Sequence, residues 1–147
     1  MIIQIDSREK KNNEVIEYFD KIGQKYFVSK IAGADYIDFK NPQVAIDLKA
    51  NLLELANNLT RKHAQFKNEI KMVQESMECE FCVLIREPIE FEDIKNWSNK
   101  NTQLKGEQLY KIMKTMEERY KIHWFFCSRY NAGEKIIKIL KKFSKMV

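Results

Sequence analysis

Five consecutive apolar residues, Phe81-Cys82-Val83-Leu84-Ile85, restrict the architecture of this chain more than any other segment. A strand with one wet face alternates apolar and polar side chains. A run without alternation is covered on both faces. The chain must therefore hold a sheet between two layers, and the patterns around the run supply them. Ile2 to Ile5 reads as a short buried strand. Asn12 or Asn13 caps a helix whose Val15, Ile16, Phe19 and Ile22 share one face, and Gly23 stops it. Lys25 to Lys30 is a second strand, and Tyr36 to Phe39 with Gln43 to Lys49 make a hairpin around Lys40-Asn41-Pro42. Leu52, Leu53, Ala56 and Leu59 begin a helix that Phe66, Ile70, Val73 and Met77 continue after a bend near Arg61 to Ala64.

Phe91 to Trp97 reads as a short helical piece, Gly106 opens a helix through Leu109, Ile112, Met113, Met116 and Tyr120, and Ile122 to Cys127 is a strand. Asn131, with Glu134 three residues on, caps a last helix carrying Ile136, Ile137, Leu140 and Phe143. This order predicts an α/β fold: a three-layer domain with a central mixed sheet flanked by helices.

A chain of 147 residues suits one domain over 1–147. Lys plus Arg number 26 and Asp plus Glu 21, a net charge of +5 that permits nucleic-acid binding without demanding it. The distribution says more. Glu75, Glu78, Glu80, Glu87, Glu90, Glu92 and Asp93 surround a single base, Arg86, while the basic residues gather at Arg61 to Lys71, Lys95 to Lys121 and Lys135 to Lys145. One of those regions can follow a phosphate backbone. There is no membrane-length apolar run and no signal segment, so the expectation is a cytoplasmic protein with no membrane partner. The three cysteines fit a reducing interior; Cys79 and Cys82 form a lone C-x-x-C, better read as buried than as a zinc site. The four glycines are scattered and cradle no phosphate, so no nucleotide cofactor is expected.

The chemistry sits in Val44-Ala45-Ile46-Asp47-Leu48-Lys49. Alternation sends Val44, Ile46 and Leu48 into a core and leaves Ala45, Asp47 and Lys49 on the other face. Hydrolysis of a phosphodiester needs neutralised phosphate charge, a deprotonated water and a stabilised leaving oxygen. Mg²⁺ or Mn²⁺ takes one or two carboxylates plus waters and substrate oxygens. Asp35 and Asp47 can supply the carboxylates from adjacent hairpin strands, and the Leu48 carbonyl a further oxygen. Lys49 can hold or help deprotonate the water, or offset charge on the phosphorane. Asp6 can reach the same edge as a third acid, Arg8 can hold a phosphate, and Glu9 can position Arg8 or a water. Asp38 competes with Asp35 for the hairpin role, but three residues of separation turn the two to opposite faces.

The joint pattern resembles that of a known family. Ile5-Asp6-Ser7-Arg8-Glu9 resembles the V-D-x-R-E opening of the XPF-type nuclease domain, Gly33-Ala34-Asp35-Tyr36 its G-D-Y with one inserted residue, and Ile46-Asp47-Leu48-Lys49 stands where the family has E-R-K. Val83-Leu84-Ile85-Arg86 is similar to its V-L-I-E strand, and Met116 through Ile122-His123 to Gly133 and Ile136-Ile137 to its closing helix–strand–helix. The compact phage and prophage members are more similar still. They carry a D-x-K signature, an L-x-E-L helix, an N-L, an H-x-x-F-x-x-E and a G-x-x-L-x-K-x-M-x-T-M segment. Here these are Leu52-Leu53-Glu54-Leu55, Asn58-Leu59, His63 to Glu69 and Gly106 to Met116.

The resemblance implies a restriction-endonuclease-like fold and metal-dependent cleavage of flapped, forked or four-way DNA in recombination, repair or phage DNA processing. It also implies a homodimer and phosphate contacts from Arg8, Lys62 and His63. Asp47 and Leu48 depart from the family's Glu and Arg. The expectation is a single nuclease domain without a helix-hairpin-helix module, in a bacterial or phage-infected cell. A non-catalytic DNA-binding or assembly module on the same fold is the alternative.

Overall fold

The computed structural model describes residues 1–9 and 12–144; Lys145, the end of the last basic region, lies outside the described residues. The chain runs β1 (Ile3–Ile5), α1 (Asn13–Ile22), β2 (Tyr26–Val28), β3 (Tyr36–Asp38), β4 (Val44–Lys49), α2 (Leu52–Thr60) and α3 (His63–Lys71). A π-helical turn (Met72–Ser76), β5 (Glu80–Ile85), a 3-10 helix (Phe91–Asn96), α4 (Gly106–Tyr120), β6 (His123–Phe126) and α5 (Ala132–Ser144) complete it.

The sheet order is β2-β1-β3-β4-β5-β6. Every neighbouring pair is parallel except those made by β3, which runs antiparallel to both β1 and β4. The reversal comes from the short Lys40-Asn41-Pro42 connection, too brief for a crossover to a parallel strand. It has a functional consequence. The parallel strands all finish at one edge, and β3 begins there, so Asp35 meets the ends of β1 and β4.

Both faces of the sheet are covered. Ala45, Phe81, Val83 and Ile85 pack under Leu52, Leu55, Phe66, Ile70, Leu109 and Met113, from α2, α3 and α4. Val44, Ile46, Leu48, Cys82 and Leu84 pack against Val15 and Phe19 of α1 and Ile136, Leu140 and Phe143 of α5. All six residues of β4 are buried, which is why its polar face lies beneath helices rather than in open water. The expected bend at Arg61 separates α2 from α3: the Arg61 and Lys62 amides both donate to the Asn57 carbonyl, at 2.8 and 3.2 Å.

Several expectations shift at their ends. β2 and β3 are shorter than the patterns suggest, and Phe39, just past β3, is half exposed beside Phe27. Ile22 is also half exposed, because it ends α1 where Gly23 turns left-handed at φ 73. Asn131 closes the turn before α5, its side chain accepting the Ser128 amide at 2.8 Å. Cys79 and Cys82 belong to cores on opposite faces of the sheet, so the C-x-x-C is not a paired ligand set. Among the described residues no helix is long and apolar enough to cross a membrane.

Gly106 is fixed by close approach. A Cβ there would lie 2.2 Å from the Ile94 carbonyl oxygen and 2.6 Å from that of Trp97, both backbone atoms that cannot swing aside. We expect Gly106→Ala to cost about 3 kcal/mol, the upper range for overpacking a fitted contact. Gly23→Ala meets nothing within 4 Å and carries only its positive φ, so it should cost about 1 kcal/mol. Urea unfolding of both variants measures the difference.

Candidate active site

A cleft of about 900 Å³ opens where α2 and α3 overhang the finishing edge of the sheet. Asp6, Arg8, Glu9, Asp35, Asp47, Leu48, Lys49 and Lys62 all line it. His63 does not: it is the exposed first residue of α3, just beyond the bend that turns Arg61 and Lys62 to the cleft. Arg61, which the sequence reading did not single out, stands in the cleft lining instead.

The two aspartates are brought together by backbone pairing. The Asp35 amide donates to the Ile46 carbonyl at 2.9 Å, and the Asp35 carboxylate accepts the Leu48 amide at 2.8 Å. That second bond caps β4 just before β3 begins. On the opposite side of β4 the Lys49 carbonyl accepts the Arg86 amide at 3.0 Å. Alternation along the strand then turns the Leu48 carbonyl toward Asp35 and the cleft. Asp38, three residues on, binds the Lys40 amide at 3.2 Å as a turn former and takes no part.

Burial pushes the Asp35 carboxyl well above the ordinary carboxylate range, and the facing charges of Asp47 and Glu9 push it further; the Leu48 amide opposes them. Asp47 is 6% exposed. Its Oδ2 lies 3.0 Å from Lys49 Nζ, yet it is directed so that it makes no hydrogen bond. Burial works against the charge on Lys49, but Asp47, Glu54 and Glu69 together outweigh it and raise its pKa. Lys49 is therefore an ammonium at neutral pH. Its Nζ donates to Asn58 Oδ1 of α2 and lies 5.3 Å from the centre of the Phe66 ring.

Asp6 has a different part from the third acid expected. Its Oδ1 accepts the Ile31 amide at 2.8 Å and its Oδ2 accepts Arg8 Nε at 3.3 Å. Both oxygens are committed, so Asp6 braces the loop before β3 and steadies Arg8. The Arg8 side chain remains 64% exposed at the cleft mouth. Glu9 stands close enough to Asp35 and Tyr36 to raise both pKa values, which places it beside the carboxylates rather than with Arg8 alone.

The helical wall holds what the sequence left undecided. Glu54 accepts the Ala50 amide at 3.2 Å, and Asn51 caps α2 through the Glu54 amide at 2.8 Å. Glu69 is lifted in pKa by burial and then by Asp47, with Lys49 opposing. Asn58 was present only as part of a two-residue motif. The available signal was polar spacing: Glu54, Asn58, Arg61, Gln65 and Glu69 recur every three or four residues, and all line the cleft.

The donor set fits a divalent cation. Asp47, whose Oδ2 has only the Lys49 ammonium beside it, and an Asp35 carboxyl destabilised by its twin make a place that a further positive charge would relieve. Asp35, Asp47 and the Leu48 carbonyl would hold the ion; among the described residues no group of three His, Cys, Asp or Glu side chains forms a cation site unaided.

The raised Asp35 pKa has a sign that can be checked. Folding favours the protonated acid, so its contribution is full below the ordinary carboxylate range and is lost as pH rises through the raised value. We expect Asp35→Asn to raise the thermal midpoint of chelator-treated protein by about 4 °C at about pH 7. That gain should shrink as pH falls. A midpoint that drops at neutral pH would contradict the like-charge arrangement.

No protein-family model matches the chain, and no curated protein matches it in sequence. Solved structures do. XPF from Aeropyrum pernix superposes with a TM-score of 0.71 at 14% identity, over 98% of this chain and 67% of that one. XPF from the same organism in complex with DNA gives 0.71 and 14%, over 99% of this chain and 65% of that one. The chain thus spans about two thirds of their length. Over nearly its whole length, this chain has the XPF-type nuclease fold, a mixed six-stranded sheet flanked by helices.

Proposed function

We propose that the chain is a Mg²⁺- or Mn²⁺-dependent endonuclease that hydrolyses DNA phosphodiesters, with flaps, forks or junctions as its substrates. One observation carries this reading. Two carboxylates, the buried Asp47 and the half-buried Asp35, face each other beside an ammonium, in a cleft lined also by Lys30, Arg8, Arg61 and Lys62. Facing carboxylates of this kind cost stability, and a phosphate-cleaving site is where such a cost is turned to use. The DNA bound to the XPF neighbour supports the choice of substrate.

The residues divide the work. A divalent ion held by Asp35, Asp47 and the Leu48 carbonyl supplies charge neutralisation at the phosphate and a more acidic water. Lys49 enters as a cation. It orients the attacking water by donating to it and offsets the charge that builds on the phosphorane. Asn58 fixes the direction of that amine, and Asp47 keeps it charged. Glu9 lies where it can accept a proton from the water. Arg8, braced by Asp6, reaches an adjoining phosphate, while Arg61, Lys62 and Lys30 follow the backbone away from it. We also propose a homodimer, because branched DNA presents two strands to cut and a two-fold assembly presents two clefts.

A panel of labelled duplex, single strand, flap, fork and four-way junction tests the reading. Wild type with Mg²⁺ or Mn²⁺ should cut one or more branched forms. Asp47→Asn and Lys49→Ala should keep their fold and lose at least about 10²-fold in rate. Equal cutting by wild type and both variants would defeat the proposal. Metal at about ten times its Kd should add about 1.4 kcal/mol to wild-type stability. Asp35→Asn should abolish that gain, read as the shift in thermal midpoint on adding metal.

A further inference from the structure

Tyr130 is the most exposed large hydrophobic side chain among the described residues, at 81%. It stands with exposed Arg129 at the corner between β6 and α5. The corner is built rather than slack. The Ser128 amide donates to Asn131 Oδ1 at 2.8 Å, and the Tyr130 amide donates to Ser128 Oγ at 3.2 Å. It also belongs to the same edge of the sheet as the carboxylates. Lys49, Ile85 and Phe126 stand in one row across β4, β5 and β6, and the corner leaves the sheet just past that row. Two strand spacings, about 10 Å, separate it from β4 along the edge.

Below the corner the surface is basic and ordered. Lys135 and Lys142 of α5 both rest on the Phe125 ring, at 5.7 and 5.3 Å from its centre. Neither makes an ion pair among the described residues, whereas Lys138 is paired with Glu134 at 3.3 Å. Seven residues separate their backbone positions along α5, about 10 Å. With both ammoniums gathered on one ring, they present neighbouring cations to a single strand.

Resting on the nuclease reading above, we propose that the β6–α5 corner is a second DNA contact. Tyr130 stacks on an unpaired base of the arm leaving the cleft, and Arg129, Lys135 and Lys142 take that arm's phosphates. An aromatic ring kept in water beside a run of cations, on the active edge, suits a splayed strand. An intact duplex hides its base faces and leaves the ring nothing to stack on. The contact therefore favours branched over linear DNA, and it places the stacked base on the arm close to the cut.

The test separates binding from cleavage. Asp47→Asn protein in chelator is mixed with forks carrying 2-aminopurine at successive positions of one single-stranded arm. One probe position close to the branch should be quenched and the distant ones should not. Adding Tyr130→Ala should abolish the quench and weaken fork binding about 10-fold with duplex binding unchanged, while Tyr130→Trp should retain both. Lys135→Ala with Lys142→Ala should reduce the slope of log affinity against log salt by about 1.4, two single-strand phosphates. An unchanged quench or an unchanged slope would overturn the proposal. So would a shift in sedimentation of the DNA-free Tyr130→Ala protein, which would give the corner to a second copy of the chain. If the quench is present but wild type never cuts, the nuclease reading fails and the corner stands; cutting without Tyr130 dependence does the reverse.

Discussion

The structure depends on holding two like charges together, one of them buried and the other half-buried. Asp35 and Asp47 would separate if their side chains alone decided, since burial and mutual repulsion both disfavour the ionised pair. Backbone geometry prevents it. The Asp35 amide is tied to Ile46, its carboxylate to the Leu48 amide, and Asp47 lies between those two anchors on β4. The short hairpin between β3 and β4 makes this possible, because a strand entering at the edge where its neighbours leave can present a side chain to their ends. A wholly parallel sheet would have placed Asp35 at the far end.

A destabilised pair needs a stable frame. β4 supplies it by being buried on both sides, with Val44, Ile46 and Leu48 in one core and Ala45 in the other. The helices that complete the second core also build the polar wall. Leu52, Leu55 and Phe66 pack downward while Asn58 and Glu69 turn into the cleft. Fold and site are thus made from alternate positions of the same elements. A core substitution under α2 would move Asn58, and with it the amine of Lys49.

Much of this was legible in the sequence because it is periodic. The apolar Phe81 to Ile85 run placed a central strand, D-x-K on β4 placed Asp47 and Lys49 together, and the α2–α3 bend fell where the helical pattern breaks. The cleft also gathers Asp35 with them, as the hairpin required. What escaped depends on orientation rather than spacing. His63 and Lys62 are neighbours in sequence, yet one turn of backbone at the bend sends Lys62 to the cleft and leaves His63 outside it. Asp6 reads as a third acid until its two oxygens are found occupied by Ile31 and Arg8. A motif gives the residue type at a position, not the bonds that position has already made.

The charge state of Lys49 follows from the same economy of position. An isolated amine this buried would shed its proton. Here the surrounding acids preserve the ammonium: Asp47 at 3.0 Å, then Glu54 and Glu69 across the cleft. Any positive charge placed between Asp35 and Asp47 must weaken that support, since it competes for the same carboxylates. The amine then becomes a weaker base and a readier proton donor as the site fills. Donation is what a water being aligned, or an oxygen gathering negative charge, requires. Asn58 keeps the amine aimed during that change, because a neutral acceptor holds an ammonium and an amine alike.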